Sequence, residues 1–212
     1  MYIPAQFRIE ERDAMHEIMR QNSFAALITM DENGAPFATH LPFFLDVDSG
    51  ESGTLRAHMA RANPQWQHFQ AGRETLVVFQ GPHAYISPSW YETQPAVPTW
   101  NYAAVHAYGT PILLEAAGLK ALLYATVALY EGGGEESWKF EMGPEYVEHM
   151  MRGIVGFEIP ITRLEGKLKM SQNRSEADRR RVIEALRAGG RAGDLEVAVL
   201  MLLTESEPRL YY

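Results

Sequence analysis

The chain has no cysteine among its 212 residues. That absence removes disulfides, thiolate nucleophiles, iron–sulfur clusters and cysteine-bound zinc together. Positive charge is also scarce: 19 Lys and Arg stand against 27 Asp and Glu, a formal net charge of −8. So acidic a chain has no general attraction for DNA or for an anionic membrane. Long hydrophobic runs are missing as well. The longest, residues 121–130, contains Thr126 and falls well short of the ~20 residues a membrane span needs. The opening MYIPAQFRIEE has neither a basic region nor an apolar core, so no signal peptide is expected and the cytoplasm is the expected compartment. HExxH, GxSxG, GxxxxGK[ST] and GxGxxG are all absent, as are internal repeats and low-complexity segments. What is present is an ordinary globular composition, 46% apolar with 11% aromatics. It suits one domain, or one domain with appendages, able to bury a sizeable core.

Periodicity supplies the elements. Met15, Ile18 and Met19 at helical spacing predict an amphipathic helix over about 10–22. Phe24–Met30 and the run Pro36–Leu45 read as a hairpin about Asp31-Glu32-Asn33-Gly34, with Asn33-Gly34 taking positive φ. Thr54–Met59 reads as a strand with Arg56 and His58 on one face and Leu55, Ala57 and Met59 on the other. Asn63-Pro64 reads as an N-cap followed by proline, opening a short helix to Gly72. Glu74–Gln80 reads as a strand ended by Gly81-Pro82, and residues 81–100 as a proline-stiffened loop with a strand at His83–Ile86. Loops of such length inside a compact domain tend to carry function. Strand character returns over Asn101–Leu114. A helix follows over Glu115–Tyr130, stopped by Gly132-Gly133-Gly134, then a short helix over Pro144–Arg152. Gly153–Leu164 reads as one strand with an edge or bulge at Pro160, followed by a loop over 165–174. Helices at Ser175–Leu186, with Ser175 and Asp178 in a capping-box relation, and at 192–204 complete the chain. Six or seven strands and five helices in runs predict an α+β fold around an antiparallel sheet or barrel.

Chemistry-bearing residues are dispersed. The seven histidines show no helical zinc-pair spacing; His40 and His58 could meet across neighbouring strands, or each could be an ordinary hydrogen-bonded strand histidine. Four stretches stand out. In HMARANPQW, 58–66, His58 and Arg61 at a strand end precede a helix start, a combination suited to a phosphate or to a solvated Arg beside a core His. In YISPSWY, 85–91, Ser87, Ser89, Trp90 and Tyr91 would suit a flat aromatic ligand, an inward aromatic plug or a subunit interface. VPTWNY places Trp100 and Asn101 at the entry to a strand. EGKLKMSQNR, 165–174, gathers Lys167, Lys169, Ser171, Gln172, Asn173 and Arg174 in an otherwise acidic protein, and Gly166 permits close backbone approach.

Taken in order, these stretches resemble one family, the PaiB-type FMN-binding negative transcriptional regulators of the FMN-binding split-barrel superfamily. MYIPAQF (1–7), FAALIT (24–29), THLPF (39–43), HMARANPQW (58–66), VVFQGPHAYISPSWY (77–91), VPTWNYAAVHAYG (97–109) and GKLKMSQNR (166–174) carry the match, and Met170 stands where Leu is expected. The resemblance implies an antiparallel split β-barrel of Greek-key type with flanking helices over 1–175; nothing is carried over for the tail, where a helical extension over 176–212 packed on the same domain is expected. It also implies a homodimer with FMN at the subunit interface. On that pattern His58 and Arg61 go to the phosphate and ribityl region, Ser87, Trp90 and Tyr91 to the cofactor loop, and Trp100 and Asn101 to the interface side. Lys167, Lys169, Ser171, Gln172 and Asn173 go to a loop covering ring or phosphate.

Three functions are compatible with this. The first is a flavin-binding regulator or sensor with no DNA-reading module of its own, since Arg179-Arg180-Arg181 is the one tri-basic run; repression would then be indirect, need a partner or use a very local patch. The second is a flavin oxidoreductase using NAD(P)H, with Tyr91 or His58 as proton donor. The third is a binding module without cofactor function.

Overall fold

A computed structural model describes residues 1–132, 138 and 142–206. The chain opens with β1 (Arg8–Ile9), α1 (Arg12–Gln21), β2 (Phe24–Met30), β3 (Pro36–Pro42), β4 (Phe44–Asp46) and β5 (Thr54–Ala60). It continues through β6 (Thr75–Ile86), β7 (Thr99–Gly109), β8 (Ile112–Leu113), α2 (Ala116–Glu131) and α3 (Pro144–Met151). It closes with β9 (Ile154–Pro160), β10 (Arg163–Lys169), α4 (Glu176–Gly189) and α5 (Asp194–Ser206). One sheet has the order β1-β10-β7-β6-β2-β3 and the other β4-β5-β9-β8. This is the expected α+β architecture built on antiparallel pairs.

The residues sort into two compact units. The first holds Met1–Asn22, Phe79–His106 and the chain from Leu164 onward, including α4 and α5; the second holds Ser23–Val78 and Ala107–Arg163. In the second unit the hairpin forms as its turn residues dictate. Asp31 Oδ1 accepts from the Asn33 and Ala35 amides, and Gly34 takes φ +80°. Seven register pairs, from Phe24↔Pro42 to Met30↔Pro36, leave Ala25, Leu27 and Thr29 buried. β5 pairs with β9 over seven residues, His58 lying opposite Gly156, and its Leu55, Ala57 and Met59 face the core as the alternation predicts. Phe157 meets Phe69 at 5.0 Å and Phe43 at 6.3 Å between ring centroids. Gln65, fully buried, donates to the Leu27 and Phe37 carbonyls and locks the 3-10 helix Pro64–Ala71 to the hairpin.

Four expectations change. The run Pro36–Leu45 is two strands. Pro42 offers no N–H, Phe43 donates its amide to Ser23 O, and β4 then pairs with β5 in the other sheet. β6 passes through Gly81-Pro82 instead of ending there. A Cβ at Gly81 would stand 3.0 Å from the Ala103 Cβ, so glycine serves close strand approach and not a stop. The run Gly153–Leu164 also divides, with Ile161 donating to Gly53 O and Thr162 to Tyr108 O, and β10 begins at Arg163. Lys167 and Lys169 are therefore strand residues and not loop residues. His40 and His58 lie on strands of different sheets; His40 faces Ala26 and stacks on Phe24. Of the glycines expected to stop α2, Gly132 follows Glu131 at φ +73°, while Gly133 and Gly134 lie outside the described residues.

Candidate functional site

In the first unit, β10 pairs with β1, with Arg8 opposite Lys167 and Ile9 opposite Gly166. Gly166 does allow close approach, but of side chains: an added Cβ would meet Met15 at 2.7 Å and Ile9 at 2.9 Å. Lys167 is buried, donates to the Tyr2 carbonyl at 3.2 Å and lies 5.1 Å from the Tyr102 ring centroid. Lys169 donates to Thr99 Oγ1 and, at 2.6 Å, to the Trp100 carbonyl. Burial, then the positive charges of Lys167 and Arg174, push the Lys169 ammonium below its ordinary value. Arg174 lies 4.3 Å over the Tyr91 ring. Among the described residues no carboxylate pairs with Lys167, Lys169 or Arg174.

β7 delivers two residues with opposite fates. Trp100 is half exposed, 52%, flanked by Tyr85 at 5.9 Å and His83 at 6.2 Å. Asn101 is fully buried and exchanges hydrogen bonds with Ser171 at 3.0 and 3.2 Å. Ser171 holds φ +61°, a conformation that costs a non-glycine residue energy and is fixed here by that pair. Gln172 folds back on its own strand, accepting from the Met170 amide and donating to Leu168 O. Asn173 is exposed. Ser87 caps the 3-10 helix Pro88–Trp90, accepting from the Ser89 amide. Trp90 is half-buried. Tyr91 is buried, yet its hydroxyl has no hydrogen-bond partner among the described residues. Leaving such a group unmet costs about 1–3 kcal/mol.

The loop after this helix is anchored by a residue sequence reasoning assigned to helix capping alone. Ser175 does cap α4 through the Asp178 amide. The Asp178 carboxylate, however, accepts from the Glu92 and Thr93 amides at 2.7 and 3.1 Å. Burial alone would raise its pKa, but these N–H groups hold it below the ordinary carboxylate value. His83, Tyr85 and Asp178 were the residues missed. The GPHAYIS block carried the signal for the first two, obscured by reading Gly81-Pro82 as a strand end.

His58 and Arg61 belong to the second unit. His58 is half-buried on β5, and burial lowers its pKa. Arg61 donates from Nε to the Arg152 carbonyl at 2.8 Å and from Nη2 to the Ile154 carbonyl at 2.9 Å, fastening the end of β5 to the start of β9. Three of its five N–H donors remain free among the described residues. So the first unit gathers ten of the twelve expected residues, and the second holds the other two. Among the described residues no group of three His, Cys, Asp or Glu could hold a metal ion.

The fold is an antiparallel split barrel. The FAD- and heme-binding protein of Mycobacterium smegmatis superposes with a TM-score of 0.60, covering 88% of this chain and 82% of that one, at 14% identity. A likeness so distant in sequence is one of fold alone. Residues 1–163 match the model of the family described as "Putative FMN-binding domain", and the chain belongs to that family. It is 39% identical over 202 residues to Protease synthase and sporulation protein PAI 2 of Bacillus subtilis, covering 95% of this chain and 96% of that protein. It is also 32% identical over 223 residues to uncharacterized protein AN0679 of Emericella nidulans, covering 86% and 89% respectively. The PaiB-type resemblance carried by the sequence blocks is borne out, and FMN is the cofactor.

The residues of the first unit fit that group. Lys167, Lys169 and Arg174 form a bunch of positive charge that no carboxylate answers among the described residues, as a phosphate monoester requires. Half-exposed Trp100 offers a ring face, and the unmet Tyr91 hydroxyl offers a hydrogen bond to a ligand.

Proposed function

We propose that this protein is a flavin-binding transcriptional regulator of the negative type, a cytoplasmic homodimer that acts through its bound flavin or a partner and not by reading DNA itself. The observation that carries the reading is the 39% identity, spread over 95% of the chain, with the Bacillus subtilis protein whose name joins protease synthase and sporulation. The tri-basic run supports the indirect form. Arg179 turns inward to the Met201 carbonyl and Thr204, and Arg180 pairs with Glu176, so the three do not act as one free basic patch.

In this reading the phosphate is met by Lys167, Lys169 and Arg174, with the Tyr91 hydroxyl as a further donor and Ser87 and Trp90 shaping the loop. Trp100 lies against the ring system. Asn101 and Ser171 hold the strand end that presents Lys169, while Gln172 and Asn173 border it. His58 and Arg61 remain available to an anion in the second unit. FMN supplies one- and two-electron redox chemistry when bound; the protein binds it and orients it. No helix among the described residues is long and apolar enough to cross a membrane.

Purified protein titrated with FMN, followed by a gel shift with promoter DNA at physiological salt, tests this. A saturable flavin spectrum with no specific DNA retardation by the protein alone is expected. A chain that stays colourless with no thermal shift on adding FMN would overturn the cofactor role. Specific nanomolar retardation would overturn the indirect mechanism.

A further inference from the structure

The second unit contains a cavity of about 430 Å³ with Arg61 in its wall. The volume is within the range of small-molecule sites. Its walls are apolar, with Trp66, Leu114, Leu119, Met151 and Ile154 among them. A second hollow of about 240 Å³, lined by Leu123, Tyr146 and Met150, shares Met151 and Ile154 as walls. Met151 and Ile154 thus border both hollows, and the methionine can adjust to an occupant.

The polar groups on the larger cavity are few: Arg61, Arg152 and Glu148. Arg61 is held by two backbone carbonyls and keeps three donors. Arg152 contacts His149 Nδ1 through Nη2 at 2.8 Å. Glu148 forms no ion pair with either arginine among the described residues. Two guanidinium groups beside an apolar hollow match a ligand with one anionic end and a hydrocarbon body. A planar guanidinium takes a carboxylate in a forked pair, and the hydrocarbon gains by leaving water.

We propose that this cavity binds an apolar monocarboxylate, a medium-chain or aryl-substituted aliphatic acid, with its carboxylate on Arg61 and Arg152 and its hydrocarbon against Leu114, Leu119 and Met151. The site lies wholly within the second unit, whereas Lys167, Lys169 and Arg174, assigned above to the FMN phosphate, belong to the first. In a regulator it would be the place where a small hydrophobic acid is sensed.

Decanoate is the probe, titrated calorimetrically into the FMN-loaded full-length chain. One saturable site per chain is expected, with decanol, which lacks the carboxylate, about tenfold weaker or more. Ala116→Trp should weaken decanoate by at least about tenfold, since Ala116 lines the cavity and is exposed. Leu113→Trp, from a second exposed lining position, should do the same, and both variants should keep wild-type FMN stoichiometry. Arg152→Gln should remove the preference for decanoate over decanol. Absence of saturable decanoate heat, or undiminished binding in both tryptophan variants, would overturn the proposal. So would displacement of decanoate from the flavin-free chain by FMN, which would make the cavity part of the flavin's own site.

Discussion

The two units use positive charge in opposite ways. In the second, Arg56 and Arg163 are answered by carboxylates. Arg56 lies between Asp46 at 2.6 Å and Glu158 at 3.2 Å, Arg163 pairs with Glu74 while stacking on Tyr108, and Arg61 caps two carbonyls. Burial would lower the pKa of Arg56, but its two carboxylates outweigh that and raise it. In the first, Lys167, Lys169 and Arg174 repel one another, and Lys169 is destabilised as a cation. Charge placed to hold a fold together is given a counter-charge. In the proposed reading, charge placed to hold an anionic ligand is left waiting for one.

Substitutions can break or sharpen this contrast. The largest effect belongs to Lys169→Met. Losing a charge-assisted hydrogen bond of about 1.5–3 kcal/mol should weaken FMN by roughly 10- to 100-fold in a fluorescence titration, with little change in thermal stability. Asn101→Ala reads the rigid part of the same unit. It strips Ser171 of its buried partner and should cost about 1–3 kcal/mol, lowering the melting temperature by about 5 °C. Arg56→Met tests the other side of the comparison. Removing a partly buried double ion pair should cost about 1 kcal/mol in chemical denaturation and leave FMN affinity unchanged.

The smallest effect is a pH dependence. His58 has a folded pKa below its unfolded value of about 6.5, so the unfolded chain takes up the proton first. Its contribution to stability is then complete above that value and declines as pH falls from about 6.5 toward the lower folded pKa. His58→Gln should flatten that part of a stability–pH curve. A slope unchanged by the substitution would place the titrating group elsewhere.

Much of this was legible in the sequence. Strong local signals gave their elements nearly to the residue. The Asn63-Pro64 cap, the Asp31–Gly34 turn and the Ser175 cap each satisfy backbone donors or supply a turn locally, so tertiary context had little to override. The errors came where a local breaker met a tertiary demand. Gly81-Pro82 looks like a stop, but the close approach of Ala103 needs the missing Cβ. The runs at 36–45 and 153–164 look continuous because both pieces are apolar, and only the sheet assignment reveals the break at Phe43 and Ile161. For the candidate site, block matches singled out Lys167, Lys169, Trp100 and Tyr91, but not what each contacts. That Asn101 is a buried latch, and that Arg61 spends donors on carbonyls, depends on contacts across 70 and more than 90 residues. No short-range pattern encodes such contacts.

The central claim is that the unanswered cations of the first unit exist for the phosphate of FMN. The most direct measurement is the ratio of FMN to riboflavin affinity, since riboflavin lacks only that phosphate, in the wild type, Lys169→Met and Arg56→Met. The account predicts a preference of at least about tenfold for FMN in the wild type and Arg56→Met, largely lost in Lys169→Met. Equal affinities for the two flavins in the wild type, or a ratio untouched by Lys169→Met, would contradict it.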